Sequence, residues 1–325
     1  MSDNCRLAVM VGVLSSHCCV CRYYGKYMTD NIHIIACGEE LLSRVAFAMQ
    51  EKGLSVSCSG CAPDLQTMLE NGGVFVGSLQ QAVSAGRKVN FVVSPALGVN
   101  PEIEYAEVLH LPVIPVSDLF TSLTENKALV VECNPRYPNR ILSIIWHVLQ
   151  AQKRKCDYLT ESFMQGLSRK VSLSENTRIC LLDGDLLLHT ESRNYKSNIL
   201  VLSSLLWKET PDYPTFESYL DVWHKVVNSI DRNGIVIYNQ AVTVFQEWAE
   251  NVREDITAIP YKAHSYRKEG DICFLTGSKT EMQLSYPCDE ELLCDINAAR
   301  LVCRQLGVAD KSFYQMIVSA DFLKK

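Results

Sequence analysis

From Ile32 onward, short apolar runs closed by a glycine or a polar residue alternate with amphipathic segments, and this alternation restricts the chain to an α/β fold. Ile32-His33-Ile34-Ile35-Ala36-Cys37 reads as a strand ending at Gly38, and Glu39 to Lys52 then sets Leu42, Val45, Ala46 and Met49 on one helical face. Gly53 stands where a left-handed residue closes a helix. Leu54 to Cys58 is a second strand and Asp64 to Glu70 a second helix; Val89 to Ser94, Glu102 to Leu109 and Pro112 to Val116 continue as strand, helix and extended run. Strands joined through helices by short loops pair in parallel, with helices on both faces. Residues 32–125 are therefore expected to form one doubly wound domain with its binding crevice at the carboxyl ends of the strands.

The pattern resumes at Ala128 with no low-complexity linker, so residues 126–325 form a second α/β unit. Strands are expected at Ala128–Val131, Ile179–Asp183, Ile199–Leu202 and Ile235–Tyr238, with Ile256–Pro260 extended. Helices are expected at Arg140–Gln152, Phe216–Ile230, Val242–Asn251 and Glu290–Leu306, the last stopped by Gly307. The polar stretch Ala263–Glu281 reads as a hairpin on a sheet edge. The first 31 residues lack a clear period and read as an extension; the apolar run Leu7–Leu14 behind Arg6 is far short of the roughly 20 residues that span a bilayer. A non-secreted extension fits better than a short signal peptide, because residues 32–125 read as a cytoplasmic nucleotide-binding domain.

Charge narrows the partners. The net charge of −6, a pI near 5.7 and the absence of a long basic run argue against nucleic acid or an anionic membrane surface. Lys153, Arg154 and Lys155 read as a solvated helix end. The 14 cysteines are spread through apolar segments, so buried reduced thiols are the default expectation. Cys58-x-x-Cys61 lacks the second pair a structural zinc site needs, and Cys18, Cys19 and Cys21 form only a local cluster.

Two places invite phosphate chemistry and both are poorly equipped for it. A dinucleotide turn needs several glycines so that backbone N–H groups reach the pyrophosphate; after the first strand there is only Gly38, followed by Glu39 and Glu40. After Ala128–Val131 a phosphate loop would read G-x-x-x-x-G-K-[ST]. The chain has Glu132-Cys133-Asn134-Pro135-Arg136-Tyr137-Pro138-Asn139-Arg140, with no glycine or lysine and two prolines that each remove an N–H donor. Asp183 and Asp185, flanking Gly184 at a strand end, are the candidate magnesium carboxylates, against a plain Asp-Gly turn. The 7 histidines are scattered without a catalytic signature, and His147 and His224 fall within helices as packed or surface residues.

Several passages, in order, resemble the Mur ligases, the ATP-dependent muramyl-peptide ligases, and among them the alanine-adding and the murein-tripeptide-recycling branches. They are Ile32-His33-Ile34-Ile35, Leu54-Ser55-Val56-Ser57-Cys58-Ser59, Val92-Val93-Ser94-Pro95-Ala96-Leu97 with Asn100-Pro101-Glu102, Pro112-Val113-Ile114-Pro115, Tyr213 to Tyr219, and Asp295 to Arg300. The resemblance implies a Rossmann-like N-terminal domain (32–125) and a central-type α/β domain (126–325), with the chain stopping at Lys325 about where a third domain would begin. It points to Gly38, Ser57, Ser94, Pro95 and Asn100 as candidate nucleotide-sugar contacts and to Asn134, Arg136, Tyr137 and Arg140 as a vestigial phosphate loop.

The departures weigh as much as the matches. Family glycines fall on Ala36, Glu39 and Leu41; the phosphate-loop lysine falls on Tyr137 and the magnesium threonine near Pro138; an Asp-His pair falls on Lys208 and Glu209; and a Gly-Glu-His-Asn motif falls near Asp289-Glu290-Glu291-Leu292. Asp183 alone matches an acidic metal ligand. Losing one preorganised donor typically costs about a hundredfold to a thousandfold in rate, and here several are missing together. The sequence therefore implies a cytoplasmic, non-catalytic binding or scaffold protein. Its expected ligands are a UDP-sugar such as UDP-N-acetylmuramate or a muropeptide, or else an authentic ligase as partner, with ATP and magnesium not expected. A working ligase using Arg136 and Arg140 in place of lysine, and a Rossmann-type oxidoreductase using Gly38, are the alternatives.

Overall fold

The computed structural model describes residues 31–323 apart from 96–97, 175, 190–195, 271, 277–280 and 319. The Leu7–Leu14 run, Cys18, Cys19, Cys21, Ala96 and Leu97 lie outside the described residues. The chain divides into two compact units, one through Glu125 and one from Asn126.

In the first unit a five-stranded sheet in the order β3-β2-β1-β4-β5 comprises β1 (Ile32–Ile35), β2 (Val56–Ser59), β3 (Phe75–Val76), β4 (Phe91–Ser94) and β5 (Val113–Pro115). All its pairings are parallel. Its helices are α1 (Glu40–Glu51), α2 (Gln66–Asn71), α3 (Leu79–Ser84), α4 (Pro101–Val108) and α5 (Val116–Thr124). α1 forms because Leu41, Leu42, Val45, Ala46, Ala48 and Met49 bury one continuous face, and Gly53, at φ +94°, ends it. Ser78 and Gln81 close a reciprocal capping box that starts α3, and Asn100 caps α4 ahead of Pro101.

The second unit is built on a seven-stranded sheet ordered β12-β11-β10-β6-β9-β7-β8. Its strands are β6 (Ala128–Cys133), β7 (Asp157–Leu159), β8 (Val171–Ser172), β9 (Ile179–Asp183), β10 (Ile199–Leu202), β11 (Ile235–Asn239) and β12 (Thr257–Tyr261). Among the described residues only β7–β8 pair antiparallel within it. The helices are α6 (Arg140–Ala151), α7 (Asp185–His189), α8 (Phe216–Asn228), α9 (Thr243–Glu250), α10 (Glu290–Gln305) and α11 (Asp310–Ile317). Leu142, Ile145 and Leu149 of α6, Ile296, Ala299 and Val302 of α10 and Phe313 of α11 share one buried cluster with Val130, Leu181 and Val201 of the sheet. β6 is flanked by β10 on one side and β9 on the other, so the chain reverses its winding there. The loop leaving β6 thus lies at a topological switch point, where open α/β sheets bind ligands.

Two expectations are corrected. Ala263–Glu281 is not a simple edge hairpin: β13 (Tyr266–Glu269), β14 (Ile272–Leu275) and β15 (Met282–Gln283) make a separate antiparallel sheet, because β15 adds to the far side of β14. Not all the thiols are reduced either. Cys273 and Cys288 form a disulfide, since Cys273 on β14 and Cys288 just before α10 are buried in the same core with Cα atoms 6.4 Å apart.

Candidate functional site

The residues that could meet a phosphate begin with β6. Its first five positions run Ala128-Leu129-Val130-Val131-Glu132, and Glu132 is a carboxylate within an otherwise apolar buried strand. Its main chain is fixed by a 2.8 Å bond from the Gly184 N–H to the Glu132 carbonyl. A Cβ on Gly184 would lie 2.5 Å from that carbonyl oxygen and 2.7 Å from the Trp223 ring, so glycine is required for this approach. The Glu132 side chain turns toward the start of α6, where Oε1 accepts from the Ile141 N–H at 3.2 Å and Oε2 from the Leu142 N–H at 2.8 Å. The first N–H groups of a helix have no partner inside it and carry the positive end of its dipole, which is why such ends bind anions. Burial, with Asp295 nearby, pushes the Glu132 carboxyl well above its ordinary range, and the two amides pull against that rise.

The loop between β6 and α6 is cross-linked to α10. Arg140, buried at the first position of α6, donates through Nε to Asp295 at 2.5 Å and lies 3.7 Å over the Tyr137 ring. Asp295 also accepts from Asn134 Nδ2 at 3.2 Å and from Ser203 Oγ at 3.0 Å. Ser204 Oγ donates to Asn134 Oδ1 at 2.8 Å and accepts the Arg136 N–H at 3.3 Å. Arg136 reaches Glu291 at 2.8 Å, and the Tyr137 hydroxyl donates to the other oxygen of the same carboxylate. Those two bonds hold the Glu291 carboxyl below its ordinary range, whereas burial raises Asp295 despite Arg140. All four loop residues singled out in the sequence, Asn134, Arg136, Tyr137 and Arg140, are thus brought together, and each is engaged by protein groups.

Asp183 ends β9 beside Glu132, its parallel register partner. It accepts from Asn139 Nδ2 at 2.9 Å, the Glu161 N–H at 3.2 Å and the Asp185 N–H at 3.1 Å, an N–H set suited to holding a carboxylate in place. Burial still leaves its carboxyl raised. Asp185 begins α7. Among the described residues no group of three or more His, Cys, Asp or Glu side chains is placed to hold a metal ion. Asp289, in the segment matched to the Gly-Glu-His-Asn motif, instead caps α10 by accepting the Leu292 N–H at 2.7 Å.

The candidate nucleotide-sugar residues of the first unit fall into two kinds. Gly38 (φ +84°) lies just past the carboxyl end of β1, its N–H 2.6 Å from the Gly60 carbonyl, and Ser94, itself buried, ends β4 with Pro95 after it. Ser57 and Asn100 have internal duties. Ser57 is buried on β2 with Oγ 2.9 Å from His33 Nδ1, while Asn100 Oδ1 accepts the Glu102 N–H at 2.8 Å. His33 Nε2 lies 3.0 Å from Glu102, which also accepts the Leu79 N–H at 2.6 Å. Burial pushes the Glu102 carboxyl up, but those hydrogen bonds outweigh it and hold it below its ordinary range.

Sequence reasoning missed Glu132, Glu291 and Asp295. Glu132 carried a signal, a lone acid in an apolar strand leading straight into a helix. Asp295 carried one too, a charge on the face of α10 shared with Leu292 and Ile296.

No protein-family model matches the chain. A UDP-N-acetylmuramate–L-alanine ligase of Dictyoglomus turgidum is 24% identical over 237 residues, 72% of this chain. The chain spans about half, 49%, of that relative. Among solved structures, the UDP-N-acetylmuramate:L-alanyl-γ-D-glutamyl-meso-diaminopimelate ligase of Neisseria meningitides superposes with a TM-score of 0.72 at 14% identity, covering 91% of this chain and all (100%) of that one. A murein peptide ligase of Psychrobacter arcticus gives 0.68 at 14% identity over 89% of this chain and 68% of its own. The UDP-N-acetylmuramate–alanine ligase of Thermotoga maritima gives 0.61 at 14% identity over the same shares, 89% and 68%. These likenesses, together with the α/β architecture and a strand–loop–helix at the switch point, make the chain a relative of the Mur ligase family with the Mur ligase fold.

Proposed function

We propose that this chain is a cytoplasmic, non-catalytic Mur ligase relative that binds a UDP-muramyl compound or muropeptide, or serves as a scaffold for an authentic ligase. In this reading, residues 32–125 and 126–325 are the counterparts of the family's N-terminal and central domains. The supporting observation is the state of the loop after β6: Arg136 and Tyr137 pair with Glu291, and Arg140 pairs with Asp295. Phosphoryl transfer depends on positioned cations and backbone donors aimed at the transferred group. In this loop Pro135 and Pro138 supply no N–H, and the cations are aimed at the protein's own carboxylates. The carboxyl end of the first sheet, at Gly38, Ser94 and Pro95, is where a nucleotide-sugar would be held, with Ser57 and Asn100 supporting it from within.

The test joins turnover to binding. The chain is incubated with magnesium, ATP, a UDP-muramyl acceptor and the candidate amino acids or peptides, and ADP release is followed. None is expected. Thermal stability is then recorded with millimolar Mg-ATP, UDP or UDP-N-acetylmuramate, since a ligand at about 100 times its dissociation constant adds roughly 2.7 kcal/mol. A shift with UDP-N-acetylmuramate alone supports ligand holding, and a flat response to all three assigns the scaffold role. ADP release would overturn the reading in favour of a ligase using Arg136 and Arg140.

A further inference from the structure

The N-terminus of α6 holds a group that most strand–loop–helix anion sites take from solution. Glu132 is 2% exposed, and its two carboxyl oxygens each receive one N–H from the first turn of the twelve-residue α6. Two acceptor oxygens on two adjacent amides is the contact an oxyanion makes at a helix N-terminus, supplied here by a planar carboxyl tethered to the preceding strand. Arg140 lies in the same first turn. It is 4% exposed, and its Nη2 is buried with no hydrogen-bond partner, although Nε is satisfied by Asp295. A buried guanidinium nitrogen left unmatched on the first residue of α6 gives this turn more donor capacity than the protein's own acceptors use.

We propose that Glu132 is a built-in stand-in for phosphate, an autoinhibitory contact that completes the N-terminus of α6 and closes the β6–α6 loop to phosphate-bearing ligands. The contact is local and continuous: the strand supplies the carboxyl, Gly184 fixes the strand's main chain by bonding the Glu132 carbonyl, and α10 holds Arg140 through Asp295. The loop after β6 is thus held by the protein's own side chains at both ends. This inference rests on the proposed function in taking the loop as closed, and it adds which residue closes it.

The experiment uses the full chain and inorganic phosphate as probe. Amide exchange at Ile141 and Leu142 is measured in the unaltered protein, in Glu132→Gln and in Glu132→Ser. Gln keeps the volume but turns an N–H toward one of the two amides. Losing an acceptor leaves a helix-end amide unmatched, so those amides are expected to exchange roughly 10-fold faster in Glu132→Gln, with distant helices unchanged. Glu132→Ser opens space, and millimolar phosphate is expected to raise its melting temperature and slow the two amides while leaving the unaltered chain unmoved. Wild-type exchange rates in Glu132→Gln would overturn the inference, as would an equal phosphate response of Glu132→Ser and the unaltered protein. If Glu132→Ser does not fold, the Gln exchange rates decide alone. The two proposals fail separately, because ADP release would remove the non-catalytic reading and leave the exchange rates to judge Glu132.

Discussion

Asp295 ties three side chains of the second unit's interior together, holding Arg140, Asn134 and Ser203 at once. Breaking a buried ion pair by removing one partner leaves the other charge desolvated and unpaired, which typically costs about 3–5 kcal/mol. Asp295→Asn is therefore expected to lower stability by about that amount in urea unfolding. The pair Arg140→Met with Asp295→Leu is expected to recover most of it, since an apolar replacement of similar volume removes the desolvation cost as well. A double variant as unstable as the single one would show that the loop, and not the charge, was at fault. In the first unit Glu102 sets the acid limb. Its folded carboxyl is held below the ordinary value, so the stability it contributes is present above that value and is lost as pH falls through the folded one. Glu102→Gln is expected to flatten the stability-against-pH curve on its acid side and to cost about 1 kcal/mol near neutrality. An unchanged acid limb would mean that the His33 and Leu79 contacts do not favour the ionised form.

At the scale of elements, the disulfide between Cys273 and Cys288 joins β14 to the residue before the cap of α10, the helix that carries Glu291 and Asp295. Its sequence separation of 15 corresponds to about 3 kcal/mol in the chain-entropy account. Cys288→Ser, or strong reductant, is therefore expected to lower the melting temperature by about 6–12 °C for a unit of this size. No change would mean that the two sulfurs are held as thiols in solution, the state a reducing cytoplasm favours. The pairing also shows what a sequence withholds. Cys273 and Cys288 each look like a buried thiol, and only the return of the chain after β15 brings them together. Strands with apolar runs and helices with one buried face, such as β1, β6, α1 and α6, were legible because their periodicity is local. The two-residue β3 and the six-residue α3 were not, although Ser78 and Gln81 carried a capping-box signal for α3. In the site, the lack of glycine and lysine after β6 was legible. The partners of Arg136 and Arg140 were not, because Glu291 and Asp295 lie 155 residues away along the chain.

Across the whole molecule each unit has a core of its own. The large buried cluster of the second unit runs from Val130 to Leu323 and draws on the sheet, α6, α10, α11 and the β13–β15 sheet. The first unit has its own apolar interior, with Ile34, Leu42, Val45, Met49, Val93 and Leu119 fully buried. Burial of apolar area contributes about 25 cal/mol per Å², and larger domains bury a larger fraction of their surface, so the second unit holds what it needs to fold alone. The loop after β6 is internal to it as well, since Glu132, Arg140, Glu291 and Asp295 all follow Asn126. Residues 126–325 produced by themselves are accordingly expected to melt in one cooperative transition with native near-ultraviolet dichroism. In that fragment Asp295→Asn should cost the same as in the full chain, because sites without shared partners add. A fragment that keeps its secondary structure but binds a hydrophobic dye and shows no near-ultraviolet signal would be a molten globule. That result would mean the second unit's packing depends on the residues before it, and the closed loop would then be a property of the whole chain.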